Sequence, residues 1–175
     1  MTTSGDIARM KIRLAKRDDL LEVVNILNEV TWHLHSKGIM QWDFPWDAAT
    51  VAKDINDNYC YVLVDNGKMI GTFAIRNIDR TYTFAIEHQS KYLGQIAILP
   101  EFQGIKLGEK VTSFARSLAS DAKKPLFLDC WAGNGKLRNF YSDNGFTYLG
   151  DFPEDDYMVS VFQYDSHENC NDEIF

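Results

Sequence analysis

Three groups of residues in this chain have types and spacings that could do chemistry. Gln103, Gly104, Ile105, Lys106, Leu107 and Gly108 form a short turn between an apolar run, Ile96–Leu99, and a helical pattern. The first N–H groups of a helix have no internal partner, and the helix dipole adds positive potential there. Strand, glycine-bearing turn and helix therefore make an anion trap, because glycine lets a phosphate approach main-chain nitrogens closely. On spacing alone this is a phosphate or pyrophosphate cradle; the alternative is a connection that packs a helix tightly on a sheet. Neither Gly-x-x-x-x-Gly-Lys-Ser/Thr nor Gly-x-Gly-x-x-Gly is present. The second group is Asn134–Phe146, where Tyr141 carries a phenol that could give up a proton or simply pack. The third is acid–base: Glu87 and His88 precede the central strand and are of types that could take up a proton. Of these Glu87 is the chosen base, while His33, His35, Glu22 and Glu29 read better as surface or half-buried side chains of a helix.

The elements that must position these groups follow from periodicity. Lys11–Ala15 alternates as a first strand. Asp18 or Asp19 caps a helix with Leu20, Val24, Leu27 and Leu34 on one face, and Ser36-Lys37-Gly38 stops it. Asp47 opens a second helix with Val51 and Ile55 inward. Between the helices, Ile39–Trp46 is unusually aromatic: Trp42 and Trp46 either wall an acceptor pocket or pin the loop to the core, and the two roles are compatible. Tyr59–Asp65 and Lys68–Arg76 are strands joined by Asn66-Gly67, a hairpin signal. Tyr82, Phe84 and Ile86 alternate, and Glu87–Ser90 reads as a turn before the central strand.

After Pro100 ends that strand, Leu107, Val111, Phe114 and Leu118 recur at helical spacing, with Ala115 and Ala119 beside them. Leu126–Trp131 is a nearly all-apolar strand, and Asn134 begins a short helix that Asn144-Gly145 ends. Phe146–Leu149 and Tyr157–Tyr164 supply the last strands. The fold class is α+β: a single domain over 11–164 with a mixed sheet of about seven strands and about four helices, a flexible leader at 1–10 and a polar acidic tail at 165–175.

Composition narrows the function. The 175 residues are 45% hydrophobic and 25% charged, ordinary for one globular domain. A net charge of −7 repels phosphate backbones, so nucleic acid is not an expected partner; amines are favoured weakly. No apolar run spans a bilayer, and no basic start with an apolar core marks a signal peptide, so neither a membrane nor export is expected and cytoplasm is the expected location. Cys60, Cys130 and Cys170 form neither a disulfide framework nor a zinc pattern, and no metal site is expected.

Gln103–Gly108, after a strand and proline, resembles the Gln/Arg-x-x-Gly-x-Gly/Ala motif of the GNAT acetyltransferase superfamily. Gln103 and Gly108 match its ends; Lys106 stands where the family has its middle glycine. Asn134–Phe146 resembles the family's Asn-x-x-Ala-x-x-x-Tyr-x-x-x-Gly-Phe segment, with Leu137 in the alanine position. The resemblance covers roughly 11–164 in element order.

It implies acetyl transfer from acetyl-CoA to a primary amine of a small molecule or peptide, with no covalent enzyme intermediate. Ile96, Ala97 and Ile98 would line the pantetheine arm and oxyanion, Gln103–Gly108 and Glu109 the pyrophosphate, with Asn134 also on the cofactor. Tyr141 would contact the cofactor and protonate the leaving thiolate. Polyamines, amino sugars, amino acids and protein N-termini are all admissible acceptors, and a homodimer is an assembly common in the superfamily. The alternative is a non-catalytic acyl-CoA sensor of the same fold, which retention of Tyr141 argues against.

Overall fold

The structure, a computed structural model, describes residues 10–81, 84–104 and 106–165; the side chains of 79–81 and 84–88 lie outside that description. Seven strands form one sheet in the order β1-β2-β3-β4-β5-β7-β6. They are β1 (Met10–Leu14), β2 (Cys60–Asp65), β3 (Lys68–Thr81), β4 (Phe84–Ile98), β5 (Leu126–Trp131), β6 (Thr147–Glu154) and β7 (Tyr157–Tyr164). The α-helices are α1 (Leu20–Ser36), α2 (Ala48–Asn56), α3 (Leu107–Asp121) and α4 (Gly135–Asp143). This is the element order expected from the sequence. The β4–β5 pair is parallel, whereas β1–β2, β2–β3, β5–β7 and β6–β7 are antiparallel. Two compact units divide the chain: residues up to Ile75 with Gln95–Gly108, and Arg76–Gly94 with residues from Glu109 onward. No helix among the described residues is long and apolar enough to cross a membrane.

In the first unit, α1 buries Val23, Ile26, Leu27, Val30 and Thr31, while Leu20, Val24 and Leu34 are only partly buried. The helix thus lies rotated from the stripe expected from Leu20 and Val24. Asp19 precedes it, but its carboxylate does not cap the helix. It accepts two hydrogen bonds from Arg13, at 2.7 and 3.1 Å, and one from the Lys16 N–H at 2.7 Å. Asp47 does cap α2, accepting from the Ala49 N–H and the Thr50 hydroxyl. Asn66 and Gly67 both have positive φ, as the two-residue hairpin between β2 and β3 requires.

Gly71 on β3 has a different reason to be glycine. A Cβ there would stand 3.0 Å from the Ala97 carbonyl oxygen, so its absence lets β3 lie tight against the end of β4.

In the second unit, α3 buries Val111, Thr112, Ala115 and Ala119, and Phe114 and Leu118 are half-buried. Its inward stripe keeps the expected Leu107, Val111, Ala115 and Ala119, while Phe114 and Leu118 sit at its margin. Glu87–Ser90 lie within β4 instead of forming a turn, because β4 continues the sheet across that polar stretch. β6 also runs past Leu149 to Glu154, with a register shift between Tyr148 and Gly150. Cys60 and Cys130 are buried in strands as packing residues, and burial, followed by Asp129, pushes the Cys130 thiol up to about 11. Cys170 and Tyr82 lie outside the described residues.

Candidate active site

The glycine turn is braced from below. Pro100–Phe102 makes one turn of 3-10 helix after β4, and Phe102 packs against the core of the first unit with the Lys68 ammonium 5.5 Å from its ring centre. Gln103 folds its amide back onto the strand, donating from Nε2 to the Ile98 carbonyl at 2.9 Å. Gly104 has φ +87, a conformation that excludes most side chains, and an added Cβ would meet nothing within 4 Å. The turn therefore faces open space, and α3 starts three residues later at Leu107. Lys106 and Glu109 are exposed there, while Leu107 is buried and anchors the helix start. The start of a 15-residue helix carries positive potential that suits a diphosphate. Ile105 lies outside the described residues.

The strand that leads into this turn has a break of its own. Its parallel ladder with β5 holds at Lys91, Tyr92 and Leu93, paired with Leu126, Phe127 and Leu128, and ends there. Gly94 follows, and Gln95 has φ +53, rare for a residue with a side chain. Beyond it Ala97 is buried, with Ile96 and Ile98 half-buried on the other face.

In the second unit, Asn134 caps α4, its Oδ1 accepting the Leu137 N–H at 3.1 Å. Gly145 follows the helix with φ +88, and the Phe146 N–H donates to the Tyr141 carbonyl. Tyr141 is the residue of α4 that is fully buried, against Phe140, Phe146 and Phe162 with ring centres 5.5, 6.0 and 5.6 Å away. Burial first, then Cys130 and Asp129, raises its phenol above the ordinary tyrosine range, so it stays protonated at neutral pH. Tyr92 and Asp129, which no motif marks, are joined by a hydrogen bond from the phenol to the carboxylate. The sequence carries a faint signal for them, one charge in an otherwise apolar strand.

Trp42 and Trp46 meet edge-to-face, 5.5 Å between centres, and both pack on the core of the first unit. Trp46 donates its main-chain N–H to Asn28 and its indole N–H to Thr31, each at 2.8 Å. His35 meets the Trp42 carbonyl at 2.7 Å, so this histidine serves the loop. Glu87 lies on β4, and its side chain falls outside the described residues.

A family model described as Acetyltransferase (GNAT) family matches residues 24–146. Together with the sheet and its glycine turn, that match defines the protein as an acetyltransferase. The chain belongs to the GNAT family, whose acetyl donor is acetyl-CoA.

Solved structures share the fold at low identity. A GNAT-family acetyltransferase of Streptococcus agalactiae superposes with a TM-score of 0.73 at 20% identity, over 90% of this chain and 95% of that one. The Salmonella typhimurium protein yncA, solved with its cofactor acetyl-CoA, gives 0.70 at 19%, over 90% and 94%. A spermidine N-acetyltransferase chimera from Vibrio cholerae SpeG and hSSAT gives 0.69 at 21%, over 93% and 99%. No curated protein matches the chain by sequence.

Proposed function

We propose that the chain transfers the acetyl group of acetyl-CoA directly to a primary amine of a small molecule or peptide, through a tetrahedral intermediate. The observation that carries this is the end of the β4–β5 ladder at Leu93 and Leu128, followed at once by Gly94 and the left-handed Gln95. A strand that stops pairing has main-chain groups that need partners, and the amide-bearing pantetheine arm supplies them like an added strand. Ile96, Ala97 and Ile98 take that role, with one N–H for the developing oxyanion. Gln103–Gly108 and Glu109 in the first turn of α3 take the pyrophosphate, with Lys106 adding a cation in place of glycine. Asn134 holds the start of α4 and meets the cofactor. Trp42 and Trp46 shape the acceptor wall as the fixed ends of their loop.

Tyr141 serves the leaving group. Reference values are about 8.5 for a thiol and about 10 for a phenol, so full transfer to free thiolate is uphill by roughly 2 kcal/mol before burial adds to it. Tyr141 therefore acts first as a hydrogen-bond donor to the sulfur, and its proton crosses as the C–S bond breaks. A carboxylate takes the proton from the amine, with Glu87 as the sequence's choice.

Release of CoA thiol with spermidine, glucosamine, glycine and an alanine-initiated peptide tests the proposal. Amine-dependent release is expected with at least one. Acetyl-CoA binding by calorimetry, with no release from any acceptor, would make the chain a sensor.

A further inference from the structure

We infer that Asp129, rather than Glu87, meets the acceptor amine and takes the proton of the attacking nitrogen, on the face of β5 opposite to Tyr141; this rests on the acetyl-transfer proposal above. The register fixes the faces. Asp129 stands directly across from Val161, and directly opposed residues in an antiparallel pair share a face. Val161, Val159 and Phe127 form one cluster, with Ile78, Tyr92, Phe152 and Tyr157 packed against it. Leu128 and Cys130 stand across from Phe162 and Ser160 and point the other way. Tyr141 lies on that second face, 5.6 Å from Phe162. One strand thus presents a phenol partner on one side and a carboxylate on the other.

The Asp129 face suits a cation. The described residues of the cluster on that face belong to strands; its aromatic members are Phe127, Tyr92, Phe152 and Tyr157, and of these Tyr92 touches Asp129. Aromatic faces and a carboxylate together attract an alkylammonium. The Tyr92 phenol donates to the Asp129 carboxylate, which orients it. Asp129 is also one residue beyond the last rung of the parallel ladder. The matching residue of β4 is Gly94, where an added Cβ would find only the Tyr92 ring, at 3.9 Å. Room, charge and the end of the ladder therefore coincide within the second unit. Glu154 lies farther along, paired across from Tyr157 and hydrogen-bonded to it; burial, then Asp155, raises its carboxyl.

The step balances. The bound ammonium first gives one proton to Asp129, which releases it to water; the freed nitrogen lone pair then forms the C–N bond and the carbonyl π pair moves to oxygen. The new cationic nitrogen, far more acidic than the free ammonium, passes one proton to Asp129. The carbonyl then reforms, the C–S bond breaks, and sulfur takes the Tyr141 proton. Water carries the proton from Asp129 back to Tyr141.

The experiment compares wild type, D129N, D129E and E87Q with the same four amines and with methoxyamine, which is uncharged at neutral pH. Asparagine keeps an oxygen for Tyr92, so a purely structural Asp129 would tolerate it. The expected result for D129N is a kcat lower by about 10²–10⁴-fold with the best alkylamine. Acetyl-CoA affinity by calorimetry should be unchanged, D129E should recover part of the rate, and methoxyamine should show a much smaller loss. An unchanged kcat in D129N, an equal loss with methoxyamine, or abolition of turnover by E87Q alone overturns the assignment. Wild type that binds acetyl-CoA but acetylates none of the amines overturns the transfer proposal and this inference with it; an active wild type beside an indifferent D129N overturns only the inference.

Discussion

Trp42 and Trp46 in the first unit, and Tyr92, Phe152 and Tyr157 in the second, are aromatic groups of similar size. Their polar atoms are used differently. The Trp46 indole N–H is spent on Thr31, whose own hydroxyl donates to the Leu27 carbonyl at 2.6 Å inside α1. The Trp42 carbonyl meets His35, and the rings meet each other. The two tryptophans turn inward, while Met40 and Phe44 of the same loop are exposed. On the strand face, Tyr92 spends its hydroxyl on a carboxylate one residue past the end of a ladder. Aromatic content alone does not separate a wall from a site; the partner of each polar atom does.

The largest expected effect tests the packed half of this comparison. Trp46→Ala removes a ring from the core of the first unit and the indole bond to the buried Thr31. It should cost about 2–4 kcal/mol of stability, read from the denaturant midpoint. The kcat at saturating amine of the protein that remains folded should stay near wild type, with the loss of the wall read as a higher KM for the amine. A stable Trp46→Ala with a collapsed kcat would turn the comparison round and make the tryptophan a contact of the reacting groups.

Tyr141→Phe probes the other half. The phenylalanine keeps the ring contacts with Phe140, Phe146 and Phe162, so stability should hold. Losing the proton donor should lower kcat by about 10²-fold, with acetyl-CoA affinity unchanged. Because burial raises the phenol, no loss of rate from Tyr141 ionising is expected up to ordinary alkaline pH. A steep alkaline fall that vanishes in Tyr141→Phe would contradict that environment.

How much of this a reader of the sequence could see depends on how local each signal is. The Asn66-Gly67 hairpin, the Asp47 cap and the Gly145 stop are set by residues a few positions apart, and all three stand in the structure. The Gln103–Gly108 turn and the Asn134–Phe146 helix are equally local, and both form where expected. Features that need a partner from elsewhere are the hidden ones. Asp19 looks like a helix cap until Arg13, brought beside it by β1, takes its carboxylate. Gly71 has no turn to explain it; only the nearness of Ala97 does. Glu87–Ser90 is polar enough to read as a turn, yet it continues β4 as part of the sheet. Asp129 is one charge in an apolar run, and its meaning comes from Tyr92 and from which face Val161 shares.

Lys106 gives a smaller effect at the turn, where the comparison predicts binding without chemistry. Its exposed ammonium stands where the resemblance places glycine. Lys106→Ala should weaken acetyl-CoA by about two- to fivefold in Kd, as exposed charge pairs do, and the difference should shrink with added salt. The kcat at saturating acetyl-CoA should not move. A tighter complex in the alanine variant would mean the side chain obstructs the diphosphate.

The smallest effect belongs to Arg13 and Asp19, which are scaffold only. Arg13 is the main cause that holds the Asp19 carboxyl below the ordinary carboxylate value, with the Lys16 N–H adding to it. A lowered folded value means the carboxylate stabilises the fold at every pH above its unfolded value, about 3.9. That contribution fades as pH falls through the lower folded value. Because the Arg13 side chain is 40% exposed, solvent screens the pair, and Asp19→Asn should cost below about 1 kcal/mol at neutral pH. The difference from wild type should stay flat down to about pH 5, close below it, and leave kcat untouched throughout. A gap that instead widens in acid would mean Asp19 is held protonated in the fold, and the arginine pair could not then be what joins β1 to the start of α1.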